Sequence, residues 1–171
     1  MDFKLRFGQS EIEHWASRYQ YPGEDHVVDV LGPSTKRFGY FTKLACLKVC
    51  RWKSPRTKNR VAESSEVFIR EVTPVALLTP SEQLRIEILT LLRGASWPTA
   101  SVLLHFAHPE PYPIIDYRAL WSLGVVVPDR YDFPFWWAYT QACRDLATAS
   151  GVGMRMLDRA LWQYSKEHQR G

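Results

Sequence analysis

Cysteine is scarce in this 171-residue chain: Cys46, Cys50 and Cys143 make an odd number without zinc-ligand spacing. That excludes a disulfide framework and suits a reducing compartment. Long apolar runs are missing too, and the opening stretch MDFKLRFGQSEIEHW holds no signal-peptide core. The expectation is a soluble, cytoplasmic protein with no membrane partner. There is no internal repeat, low-complexity tract or flexible linker. Lysine is absent from Asn59 to Ser165, which bears on chemistry below.

What is present argues for a folded core. Hydrophobic residues make up 46% of the chain and aromatics 13%, far from a disordered composition. The length fits a single domain, 1–171, with an N-terminal helical part to residue 80, a central part over 81–124 and C-terminal helices from 125. The net charge is a modest +4, yet it is unevenly spread. From Lys43 to Arg60 the chain carries Lys48, Arg51, Lys53, Arg56 and Lys58 and no acid. Such a block is either a polyanion footprint or a solvated helix face.

Periodicity and punctuation predict helices throughout. Ser10 followed by Glu13 reads as a capping box for a helix to about Arg18. The stretch from His26 to Leu31, closed by Gly32-Pro33, is too short to assign by period. Thr42 reads as an N-cap for a helix over Lys43 to Trp52, stopped before Pro55. Glu63 to Ala76 is expected to be helical, with Val67, Phe68, Ile69, Val72 and Val75 as its apolar residues. The next helix, with Pro80 at its first position, is expected to bury Leu84, Ile88, Leu91 and Leu92. Beyond a Pro-rich linker, helices are expected at Tyr117 to Leu123, Phe135 to Thr148 and Met154 to Lys166.

The organising stretch is Leu89 to Gly124. Two amphipathic runs meet at the corner Leu92-Arg93-Gly94-Ala95-Ser96, where Gly94 supplies the turn and Pro98 and Thr99 open the next helix. Amides at such a corner point outward and suit a phosphate. After the linker, Pro113-Ile114-Ile115 delivers one carboxylate, Asp116, to the start of a helix. That pattern resembles the hairpin, proline-rich loop and Asp of the HhH-GPD superfamily of DNA base-excision glycosylases, which includes the 8-oxoguanine DNA glycosylases. The family hairpin runs roughly Leu-x-Gly-hydrophobic-Gly; here it is Leu92, Gly94 and Ala95, with Ser96 in place of the second glycine. The match covers about a fifth of the chain.

The resemblance implies an all-α, helix-hairpin-helix fold with short loops, a base pocket between two helical lobes, and Asp116 as the catalytic carboxylate. The bond cut in the family joins a base to its sugar through an oxocarbenium-like transition state, which a fixed carboxylate stabilises. Two opposite charges ~4 Å apart at an effective dielectric near 20 attract by roughly 4 kcal/mol, about a thousandfold in rate. Asp116 as a plain helix cap is the alternative reading, and the two roles are compatible. Members that also cut the strand carry a lysine after the hairpin. Here Pro98 and Thr99 stand there, so water is the expected nucleophile.

Under this reading Gly94, Ala95, Ser96 and Thr99 contact a phosphate. Arg51, Trp52, Lys53 and Arg56 join the DNA face, the cations neutralising phosphates and the indole stacking on a base. Tyr117 lines the pocket for a base flipped out of double-stranded DNA. Each has a bland counterpart: Gly94 as a helix-ending glycine, Trp52 as core, the cations as ordinary surface. Relatives with an iron–sulfur loop use four cysteines, which this chain lacks, and His105 and His108 have no third ligand nearby. No cofactor and no metal is therefore expected, and a monomer is. Arg155, Asp158 and Arg159 read as surface charges or internal ion pairs without a role. The alternatives to a glycosylase are a non-catalytic helix-hairpin-helix nucleic-acid-binding protein and a helical interaction protein.

Overall fold

The computed structural model describes residues 2–53, 55 and 58–169, and over these the chain forms helices and no strand. A 3₁₀ turn at Gln9–Glu11 leads into α1 (Ile12–Ser17), followed by α2 (Glu24–Phe38), α3 (Lys43–Lys53), α4 (Lys58–Ala62) and α5 (Glu66–Leu78). Then come α6 (Glu82–Leu89), α7 (Trp97–Ala107), α8 (Tyr117–Ser122), α9 (Phe133–Ser150) and α10 (Met154–His168). The all-α expectation holds. No helix among the described residues is long and apolar enough to cross a membrane.

Short polar side chains set several boundaries by accepting first-turn amides, which have no partner inside a helix. Thr42 accepts from Ala45 N at 3.2 Å, Ser65 from Phe68 N at 3.1 Å and Ser81 from Leu84 N at 3.2 Å. Ser65 thus starts α5 later than expected, and Ser81, not Pro80, opens α6. Asp132 caps Phe135 N at 2.9 Å, starting α9 at Phe133. At the N-terminus Glu11, not Glu13, turns back, its Oε2 accepting from Gly8 N at 2.7 Å.

Two compact units result, the middle of the chain (Pro22–Glu110) and its two ends (Met1–Tyr21 with Pro111–Gly171). In the middle unit α7 is the central element, packed against α2, α3 and α6. Six consecutive residues, Thr99 to Leu104, are buried. In the unit of the ends, α10 packs on α1, α8 and α9, around buried Ile12, Leu120, Trp136, Tyr139 and Leu157. The extended segment before α1 is tied to the end of α8, Lys4 N donating to Leu123 O and Arg6 N to Ser122 O, both at 2.9 Å.

Three features depart from expectation. Gly32-Pro33 does not end a segment; both lie inside α2, which buries Val27 and Leu31 one turn apart. Pro33 has no amide to give, and the Thr35 hydroxyl bonds back to Leu31 O at 2.7 Å. The helix ends at Gly39, whose φ of +70° suits glycine. Helix α4 was not foreseen. In α6 the buried residues are Arg85, Ile86 and Leu89; of the expected stripe Leu84 and, past the helix end, Leu91 are exposed, while Leu92 is buried.

Candidate functional site

Asp116 sits at the N-cap of α8 in extended backbone, and its Oδ1 accepts from Ala119 N at 2.9 Å. The carboxylate is half-buried. What delivers it there is a strap, residues 111–115, bonded at several backbone atoms. Ile114 N donates to Oδ1 of Asp158 at 3.1 Å, and the Tyr139 hydroxyl donates to Ile114 O at 2.8 Å. Arg144 Nε holds Pro111 O at 2.8 Å. Asp158 is 5% exposed and Tyr139 fully buried. Burial, with the nearby Cys143, Asp158 and Asp116, pushes the Tyr139 phenol well up, so it stays protonated and able to donate.

Two further tyrosines feel the Asp116 charge. Burial and then Asp116 raise the phenols of Tyr21 and Tyr131, both half-buried. Tyr117 is half-exposed, and the Arg118 guanidinium lies 5.0 Å over its ring. The sequence had singled out Tyr117 and Asp116 alone. Asp158, Tyr139, Tyr21 and Tyr131 carry no local signal, because each comes from a distant part of the chain.

The predicted corner lies in the other unit. Gly94 has φ +77°, Ala95 N donates to Leu92 O at 2.9 Å, and the Arg93 amide is held by buried Ser64 Oγ at 3.0 Å. Ser96 is the N-cap of α7, exposed and making no side-chain capping bond, with Pro98 in the first turn. Ala95 is buried, and Thr99 is only 1% exposed. The corner therefore offers the Ser96 side chain to solvent, while the Ala95 amide, expected to reach a phosphate, is spent on Leu92 O, and Thr99, expected to add a hydroxyl, is buried.

In the basic segment Arg51 is exposed and Lys53 half-buried, both in the last turn of α3. Trp52 is held within its own unit: Nε1 donates to Pro22 O at 3.1 Å and the ring meets Phe106 edge-on at 5.9 Å. Its packing role is thus filled. Arg56 lies outside the described residues. His105 meets the Phe106 ring, and His108 Nε2 sits 2.7 Å from Arg85 Nη1. Among the described residues no three His, Cys, Asp or Glu side chains are grouped as metal ligands. Compared with models of known families, with curated proteins and with solved structures, the chain matches none.

Proposed function

We propose that the chain is a helix-hairpin-helix DNA glycosylase that hydrolyses the bond between a damaged or modified base and its sugar. The observation that carries this reading is the fixation of Asp116. A carboxylate on a strap gripped at Ile114 from both its amide and its carbonyl needs little reorganisation to meet a developing positive charge. Asp116 stabilises the oxocarbenium-like sugar and orients the attacking water. In the same unit Tyr117 presents a ring to the extruded base; in the other unit, taken by itself, the Gly94 corner with its exposed Ser96, together with Arg51 and Lys53, meets phosphates. With no lysine from Asn59 to Ser165, the product is a free base and an uncut abasic strand.

A panel of duplex oligonucleotides carrying different lesions tests this. Wild type is expected to release a base and leave the strand intact until alkali is added. Asp116→Asn keeps a capping oxygen but loses the charge, so activity falls about a thousandfold while the unfolding midpoint hardly moves. Absence of release from every lesion, or release that survives the substitution, ends the proposal.

The capping bond to Ala119 favours a second reading, a nucleic-acid-binding protein without catalysis, because a structural task already accounts for Asp116. A pure binder keeps or gains affinity in Asp116→Asn and releases nothing.

A further inference from the structure

Helix α5 is apolar on two sides, and only one of them meets the core. Ile69, Val72, Thr73 and Ala76 are buried. Val67, Glu71, Val75 and Leu78, at i, i+4, i+8 and i+11, run along the opposite face, and all four are exposed. Val67 keeps 64% of its surface and Leu78 80%, with exposed Phe68 and Arg70 flanking the stripe. A surface helix ordinarily turns polar residues to water. Here the outward face carries Arg70 and Glu71, side by side near its middle, and apolar residues at both ends. Helix α6, which packs on α5, adds exposed Leu84 and, just past its end, Leu91.

Together these apolar side chains leave roughly 400–500 Å² uncovered, near the upper end of what an ordinary monomer exposes as a patch. Each partner of a stable complex buries ~800 Å², a little over half of it apolar. The face is therefore large enough to support a dimer.

The two charges decide which partner fits. Arg70 Cζ lies 4.8 Å over the Tyr40 ring, a face contact that leaves the in-plane donors of a guanidinium unspent. Glu71 takes part in no ion pair among the described residues. Such a stripe is complementary to itself when a second copy runs antiparallel across a two-fold axis between Val72 and Thr73. Val67 then faces the partner's Leu78. Arg70 is offset from the partner's Glu71 by about four residues, or ~6 Å along the helix, within reach of two long side chains. Parallel pairing would instead set Glu71 against Glu71 and Arg70 against Arg70. A partner of one charge sign would satisfy one of the two and oppose the other.

We propose that the outward face of α5 pairs antiparallel with the same face of a second copy of this chain, burying Val67, Phe68, Val75 and Leu78 and forming reciprocal Arg70–Glu71 ion pairs. The inference is independent of the DNA reading of Asp116, which lies in the other unit.

The test is sedimentation equilibrium of the full chain over a range of protein concentrations. Wild type is expected to pass from monomer to dimer. Leu78→Ser acts twice in a two-fold dimer and raises the dissociation constant about a hundredfold, while the unfolding midpoint of the dilute monomer hardly moves because the residue is mostly exposed. Arg70→Glu and Glu71→Arg each bring like charges together across the axis and weaken self-association by more than about tenfold. Mixing those two variants restores dimers near the wild-type constant, since each chain then meets opposite charge at both positions. A chain that stays monomeric at every concentration overturns the proposal, and so does a dimer indifferent to Leu78→Ser. A dimer weakened by that substitution but not restored in the mixture overturns it as well, because the antiparallel pairing is then wrong.

Discussion

In each unit a buried charged residue holds backbone, Arg85 in one and Asp158 in the other, and the two are of opposite sign. In the middle unit Arg85, 6% exposed, donates to Ala76 O at 2.8 Å, Leu77 O at 3.3 Å and Thr79 O. Those carbonyls belong to the end of α5 and the turn after it, where a helix leaves acceptors unpaired and a cation is welcome. In the unit of the ends the buried ion is the carboxylate of Asp158, and it takes an amide, Ile114 N. A guanidinium with five donors can close a turn by itself. A carboxylate can only accept, so the carbonyl of the same residue falls to Tyr139. One device terminates a helix; the other aims a functional side chain.

Removing the hubs is the strongest way to break that comparison. Arg85→Met strands several buried carbonyls and is expected to cost about 3–5 kcal/mol, read as a drop in denaturant midpoint with the α5–α6 amides losing exchange protection first. Asp158→Ala leaves one buried amide without its acceptor and is expected to cost about 2 kcal/mol, and Tyr139→Phe about 1 kcal/mol. In both, the Ala119 amide capped by Asp116 should exchange faster than in wild type. An unchanged Ala119 rate would mean that the strap does not fix Asp116.

A smaller difference concerns pH. The His108 imidazole accepts from Arg85, and Glu110 N lies 3.0 Å from its Nδ1. Burial and then the Arg85 charge lower its pKa, against the opposing pull of Glu82 and Glu110. The folded chain therefore prefers neutral His108. Its contribution is complete above the unfolded value near 6.5 and is lost as pH falls from there toward the folded value. Melting temperatures between pH 5 and 8 should decline on the acid side, and His108→Gln should flatten that decline. An identical profile in the variant would assign it elsewhere.

The sequence foretold those features that depend on near neighbours. Thr42 at the head of α3, Gly94 with positive φ and Asp116 at the head of α8 are local geometry, and all are found. Faces were harder. In α5 five apolar residues were singled out; Ile69 and Val72 are buried with Thr73 and Ala76, whereas Val67, Phe68 and Val75 are exposed. A helix rich in apolar residues on all sides does not announce its inner face. In α6 a charged residue occupies the stripe a leucine was expected to fill, because the carbonyls it serves lie in another helix. The Ile114 clamp was invisible for the same reason: Tyr139 and Asp158 are 25 and 44 residues away.

The clip between the extended backbone of residues 4–6 and the end of α8, with α1 packed on α10, sets an order of events during synthesis. The middle unit emerges whole and can mature as it leaves the ribosome. The opening segment has to wait, its apolar residues uncovered, until α10 has been made. Chaperone dependence and slow, long-range closure should therefore belong to the unit that carries Asp116.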